Sequence, residues 1–198
     1  MDLQIFSEFE DHKKDPRMTV FIGRETELSN LKGLLKKNSA SLVVIKGRRR
    51  IGKSRLIEEF GKNQNIALLA GIPPTPQTTI ASQIAEFTRQ MIRIFGLPPL
   101  KFEDWEDVFW FLADRVKKER IILVFDEISW IGSKDPDFLG KLKTACDIHF
   151  KQNDKLILIL CGSISAWIER NILRSTGFMG RISRTFTLDE LTLATGQI

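Results

Sequence analysis

Cysteine and histidine are scarce: two of each in 198 residues. Cys146 and Cys161 are too few for a disulfide framework and not spaced as CxxC, and His12 and His149 add too little for a zinc cluster. Disulfide scaffolds and zinc modules are excluded, and a reducing, cytoplasmic setting is expected, with both thiols packed as small apolar groups. Long apolar runs are missing as well. The longest, 156–161 and 121–125, fall far short of the roughly 20 residues that cross a bilayer. Residues 1–10 have neither the basic n-region nor the apolar h-region of a secretion signal. No membrane partner is expected. Internal repeats and low-complexity tracts are absent too, which leaves an ordinary globular composition with 42% hydrophobic residues, enough for one substantial core.

Charge of one sign is in excess, with 30 basic against 25 acidic side chains and a net charge of +5. The excess is local. Lys46, Arg48, Arg49, Arg50, Lys53 and Arg55 crowd ten residues that hold no acid, which leaves the rest of the chain close to neutral. A second, smaller excess comprises Arg170, Arg174, Arg181 and Arg184, with Glu169 beside them. Neither makes a stripe over a whole face, so nucleic acid is an open but disfavoured partner.

Residues 1–19 carry no sustained period and read as an N-terminal arm with at most one short helix. Beyond the turn at Gly23, Arg24 and Glu25, the leucines 28, 31, 34 and 35 predict a helix from Thr26. Residues 41–45 form a β-branched apolar run that breaks into a glycine-containing loop, and 54–60 read as helix: strand, loop, helix. A second strand is predicted at 66–70, ended by the Gly- and Pro-rich stretch 71–76. Ile80, Ile84, Phe87, Met91 and Ile94 advance in helical steps to a stop at Gly96, Pro98 and Pro99. Trp105, Val108, Phe109, Leu112 and Val116 predict a helix over 104–118. A continuous apolar strand at 121–125 ends on Asp126 and Glu127, as a strand buried in a parallel sheet does. Asp135 and Pro136 predict the start of a helix running toward Phe150. A strand at 156–161, a helix around 164–172 and a last strand at 184–188 follow. This alternation predicts an α/β chain with a central, mostly parallel sheet of about five strands.

The most specific motif is Gly47-Arg48-Arg49-Arg50-Ile51-Gly52-Lys53-Ser54, an unbroken GxxxxGKS between a strand and a helix. In such a P-loop the glycines let backbone N–H groups and the helix N-terminus converge on the β-phosphate of ATP or ADP. Lys53 is expected to bridge β- and γ-phosphates and the Ser54 hydroxyl to complete Mg²⁺ coordination, with Arg55 alongside. The second element is the acidic strand end. Asp126 fits a hydrated Mg²⁺, and Glu127 fits the orientation or deprotonation of the attacking water. Ser163, beyond the strand at 156–161, either places a hydroxyl near the γ-phosphate or caps the next helix. Arg181, after Gly180, is a candidate for reaching transferring phosphate in its own or an adjacent subunit.

With these residues in place, the chain resembles the archaeal-type ATPase family, of the STAND branch of P-loop NTPases related to AAA+ proteins. The resemblance covers residues 20–191 and rests on Phe21-Ile22-Gly23-Arg24-Glu25-Thr26-Glu27-Leu28, the P-loop, Phe125-Asp126-Glu127-Ile128, Cys161-Gly162-Ser163 and Met179-Gly180-Arg181. It implies a three-layer P-loop sandwich of the AAA+ type, with an extra strand between the P-loop strand and the acidic strand. It also implies that Phe21 and Ile22 line the base pocket and that Arg24 and Glu25 fix the turn. Family members carry arginines within the P-loop, and they continue into a helical lid or winged-helix segment. Here residues 192–198 read as a tail with that segment lacking. The expected function is Mg²⁺-dependent ATP binding and hydrolysis by a conformational switch or motor, with a homo-oligomer or a partner protein as further partners. Two alternatives stand beside it: a STAND-type signalling module that holds ADP with little turnover, and an ATP-regulated nucleic-acid-binding protein.

Overall fold

The computed structural model of the chain describes residues 21–191. The expected arm at 1–19, Val20 and the tail at 192–198 lie outside the described residues. Five strands, β1 Ser41–Gly47, β2 Ile66–Ala70, β3 Ile121–Asp126, β4 Leu156–Gly162 and β5 Ile182–Leu188, form one sheet in the order β2-β3-β4-β1-β5. All four pairings are parallel. β4 lies between the P-loop strand β1 and the acidic strand β3, so the expected inserted strand is present.

The strands read as continuous apolar runs because helices cover both faces. Period-two geometry still sorts their side chains. Val44, Leu123, Phe125, Leu158 and Leu160 face one core, together with helices α3 Ile80–Phe95, α4 Trp105–Arg115, the short α5 Ile128–Ile131 and α6 Phe138–Ile148. Val43, Ile45, Val124, Ile159 and Cys161 face the other, beneath α1 Glu25–Leu34 and α2 Lys53–Gly61. This is the three-layer sandwich. In the first core Phe125 meets Phe87 edge-on at 5.3 Å between ring centroids, and Trp105 meets Phe87 at 5.2 Å in the same way. Truncating one such ring to alanine would cost about 3–5 kcal/mol.

Local chemistry sets the helix ends. Thr79 and Ser82 form a reciprocal capping box at the start of α3, and Gly96 at φ +60° ends it. Asp104 caps α4 by accepting the Glu106 N–H at 2.7 Å. At the sheet's outer edge, Gln90 of α3 accepts from Ala70 N–H at 2.8 Å and donates to Ala70 O at 3.0 Å, supplying the ladder partner that an edge strand lacks.

Three expectations are corrected. Helix α6 starts at Phe138 and not at Pro136, because Asp135 is turned inward: it accepts the Asp137 N–H at 2.8 Å and bridges to Lys141 at 3.0 Å. The segment after Ser163 is not one helix but a short α7, Ser165–Ile168, continued by a π turn at Glu169–Leu173. The last strand begins at Ile182, two residues earlier than its apolar pattern shows, since its exposed edge carries Arg184, Thr185 and Thr187.

Candidate nucleotide-phosphate site

Parallel pairing aligns the C-terminal ends of β1, β3 and β4, with Ile45 opposite Cys161 and Phe125 opposite Leu160. The P-loop, the two acids and Ser163 therefore emerge together at one edge, where open α/β sheets bind ligands. The loop conformation explains its composition. Gly52, the residue before α2, sits at φ +95°, a left-handed conformation that suits glycine. At Gly47 a Cβ would stand 2.5 Å from the Leu188 carbonyl oxygen, so no side chain fits between β1 and β5.

The cleft at this edge, about 430 Å³, is lined by Arg49, Arg50, Gly52, Lys53, Ser54, Arg55, Asp126, Glu127 and Ser163. Lys53 is 6% exposed. Its ammonium donates to Gly47 O at 2.8 Å, Arg48 O at 2.7 Å and the Ser163 hydroxyl at 3.1 Å. That hydroxyl in turn donates to Glu127 Oε1 at 2.5 Å, while the Ser163 N–H donates to Glu127 Oε2 at 3.1 Å. Ser163 does not cap α7, whose cap residue is Ile164. Glu127 holds φ +49°, an uncommon backbone for a residue with a Cβ, and its carboxylate is held by the two hydrogen bonds from Ser163. Asp126 Oδ1 accepts the Glu127 N–H at 2.9 Å. Cys161 lies against it from β4, its thiol pushed up by burial and by the Asp126 charge.

Ser54 and Asp126 line the same cleft, and their side-chain oxygens are hard donors. Two protein ligands of this kind suit Mg²⁺, which keeps several waters and takes the rest of its shell from phosphates. Among the described residues no cluster of three His, Cys, Asp or Glu forms a self-sufficient metal cage. Bound there, Mg²⁺ would neutralise charge on the β- and γ-phosphates.

The other candidates lie outside the cleft lining. Arg48 is exposed, with Glu190 at 3.8 Å. Ile51 is partly buried against the α1/α2 core. Arg24 is a strap: its guanidinium donates to Glu27 at 3.1 Å, to Ile51 O at 3.4 Å and to Asp189 O, tying the start of α1 to the P-loop and the end of β5. Glu25 accepts the Gly23 N–H at 2.9 Å, which holds its carboxyl below the usual range. Phe21 packs against the α1/α2 core, and Ile22 is 55% exposed. Arg181 is not at the site. It precedes β5 at the opposite edge of the sheet, roughly 20 Å away by the length of β1, where it grips Asp147 at 2.6 and 3.0 Å. A role for Arg181 in its own subunit is thereby corrected. The sequence reading missed Trp130, over whose ring the Arg49 guanidinium stands at 4.9 Å. Its one sequence signal was its place three residues after Glu127.

Comparison with known proteins bears on this geometry. The chain is 29% identical over 163 residues to an uncharacterized protein of Methanocaldococcus jannaschii, covering 82% of this chain and 34% of that protein. It is 39% identical over 49 residues to an uncharacterized ATP-binding protein of the same organism, covering 25% of this chain and 83% of that protein. Among solved structures, a Walker-type ATPase of Pyrococcus abyssi superposes with a TM-score of 0.58 at 20% identity, over 90% of this chain and 56% of that one. The Cdc6p protein of Pyrobaculum aerophilum superposes with a TM-score of 0.58 at 17% identity, over 92% and 48%. The chain thus spans about a third of the first relative and about half of each structure. A profile of the AAA domain family matches residues 36–167, which take in the P-loop, both acids and Ser163. With that match over most of its length and the strand order found here, the chain belongs to the AAA domain family of P-loop, nucleotide-binding proteins.

Proposed function

We propose that the chain is an ATP-hydrolysing core, with residues 20–191 as the catalytic unit, working as a Mg²⁺-dependent conformational switch or motor. The observation that carries this is the chain Lys53 to Ser163 to Glu127 within one cleft that also holds Ser54 and Asp126. It supports reading Lys53 as a phosphate-binding cation, Ser54 and Asp126 as a metal-binding pair and Glu127 as a general base, since all four line one volume. Lys53 exchanges its carbonyl partners for β- and γ-phosphate oxygens. Ser54 and Asp126 hold Mg²⁺, and Glu127 takes a proton from the attacking water. Phe21 and Ile22 serve the base side, and Arg50 and Arg55 add charge at the phosphates. The test is nucleotide binding and ATP hydrolysis with and without Mg²⁺, in the parent chain and in Lys53→Ala. Binding that survives intact in a folded Lys53→Ala variant sinks the assignment.

A second reading, the STAND-type module that holds nucleotide with little turnover, is favoured by one feature. Both Glu127 oxygens are engaged by Ser163, so the base must be released before it can act. Single-turnover hydrolysis separates the two. The nucleic-acid alternative is weakened because the arginine run splits three ways, Arg48 toward Glu190, Arg49 onto Trp130 and Arg50 into the cleft. No helix among the described residues is long and apolar enough to cross a membrane. A cytoplasmic setting and a homo-oligomer or partner protein complete the proposal.

A further inference from the structure

The arginine expected to meet the transferring phosphate, Arg181, is bound at the far edge of the sheet. The arginines that line the cleft are Arg49, Arg50 and Arg55. They differ in what holds them. Arg55 sits on α2 with Glu58 at 3.6 Å. Arg50 lies on the left-handed bend of the loop, at φ +63°. Arg49 has no ion pair with a described residue and rests over the Trp130 ring at 4.9 Å. Trp130 follows the acids by one turn: its backbone N–H donates to the Glu127 carbonyl at 2.7 Å. Arg49 thus lines one cleft with both acids while its guanidinium is held on the ring of a residue one turn beyond them. Its contact with the ring is weaker than a charge-assisted contact with phosphate.

We propose that Arg49 is a catalytic residue supplied by the P-loop itself, which leaves the Trp130 ring when ATP binds and stabilises the charge that develops on the γ-phosphoryl group during hydrolysis. The proposal rests on the nucleotide reading above. The water oxygen bonds to the γ-phosphorus while the bond from that phosphorus to the β–γ bridging oxygen breaks. The water's proton passes to Glu127, the bridging electron pair stays on ADP, and ADP and phosphate leave. Arg49 moves no proton. Its fixed charge lies against oxygens that gain charge in the transition state, so its contribution appears in the rate and not in ground-state affinity. Trp130 positions the guanidinium near the acids.

The experiment compares Arg49→Ala, Arg49→Lys, Arg50→Ala and, as a control for charge loss, Arg89→Ala on α3. Single-turnover hydrolysis at saturating ATP and Mg²⁺ is expected to fall about a hundredfold or more in Arg49→Ala. Nucleotide affinity should stay within about threefold, and Arg49→Lys should be only partly restored because ammonium lacks the planar fork. A rate within about threefold of the parent, a matching loss of affinity, or a larger rate loss in Arg50→Ala overturns the proposal. The second arm reads Trp130 emission. A non-hydrolysable ATP analogue should change it and ADP should not, and the change should vanish in Arg49→Ala and in Trp130→Phe. An unchanged response in Arg49→Ala overturns the proposal. Loss of nucleotide binding in the parent is instead failure of the nucleotide reading. A parent that binds without hydrolysing fails the hydrolytic reading, and the emission arm then decides whether Arg49 turns to the γ-phosphate.

Discussion

The two edges of the sheet are built from similar residues and do opposite things with them. At the C-terminal edge, Lys53, Arg49, Asp126 and Glu127 line an open cleft; Lys53 spends two of its hydrogen bonds on backbone carbonyls, and Arg49 rests on a ring. At the N-terminal edge, Arg181 and Lys143 both close on Asp147, at 2.6 and 2.8 Å. Beside them is a cavity of about 210 Å³ lined mostly by apolar side chains, including Leu42, Phe150 and Leu158. The first edge keeps charged residues on an open cleft and the second neutralises its own. Backbone strain only partly follows the same division: among the described residues three non-glycine residues have positive φ, of which Arg50 and Glu127 belong to the C-terminal edge and Asn63, ahead of β2, to the other.

The largest effect should come from the C-terminal edge. Glu127→Gln should slow hydrolysis by about a hundredfold or more while nucleotide stays bound, because the amide cannot take the proton. The amide also offers one acceptor where Ser163 brings two donors. Asp126→Asn should instead raise the Mg²⁺ concentration needed for activity. A Mg²⁺ titration of both variants checks the division, and identical profiles would erase it. Gly47→Ala comes next, since its Cβ must displace the Leu188 carbonyl. A loss of about 1–3 kcal/mol in thermal unfolding is expected, and an unchanged melting temperature would show that β5 yields freely.

Arg181→Ala should leave hydrolysis by the single chain unchanged. It should also flatten the acid limb of stability. Arg181 and then Lys143 hold the Asp147 carboxyl well below the usual range, so their stabilisation is present above about pH 4, the unfolded value. It is lost as pH falls through the folded one. Melting curves between pH 7 and 3 read this difference. Hydrolysis lost in Arg181→Ala and recovered on mixing with Glu127→Gln chains would move the residue to a neighbour's site and break the contrast between edges. The smallest effect is chemical. Burial pushes the Cys146 thiol up to about 12 and Cys161 further the same way, so iodoacetamide at pH 8 should label neither thiol until the chain unfolds. Fast labelling of Cys146 would show that the N-terminal edge opens.

The sequence by itself determined the elements and the loop. Apolar runs such as 121–125 and 156–160 have few conformations open to them besides buried strands, and GxxxxGKS after such a run carries its own backbone requirement in Gly47 and Gly52. Helix starts were less legible where a side chain does two jobs. Asp135 looks like a cap in the sequence, but its bridge to Lys141 is a contact between residues six apart that only packing decides. The partners of site residues were decided by tertiary structure alone. That Ser163 would join Lys53 to Glu127, 110 and 36 residues away, follows from β4 lying between β1 and β3. That Arg181 would miss the phosphates follows from its place before β5 in a parallel sheet, where the residue ahead of a strand and the residue behind its neighbour lie at opposite edges. Local pattern fixes which residues bend and which are buried, whereas strand order and direction fix which charges meet.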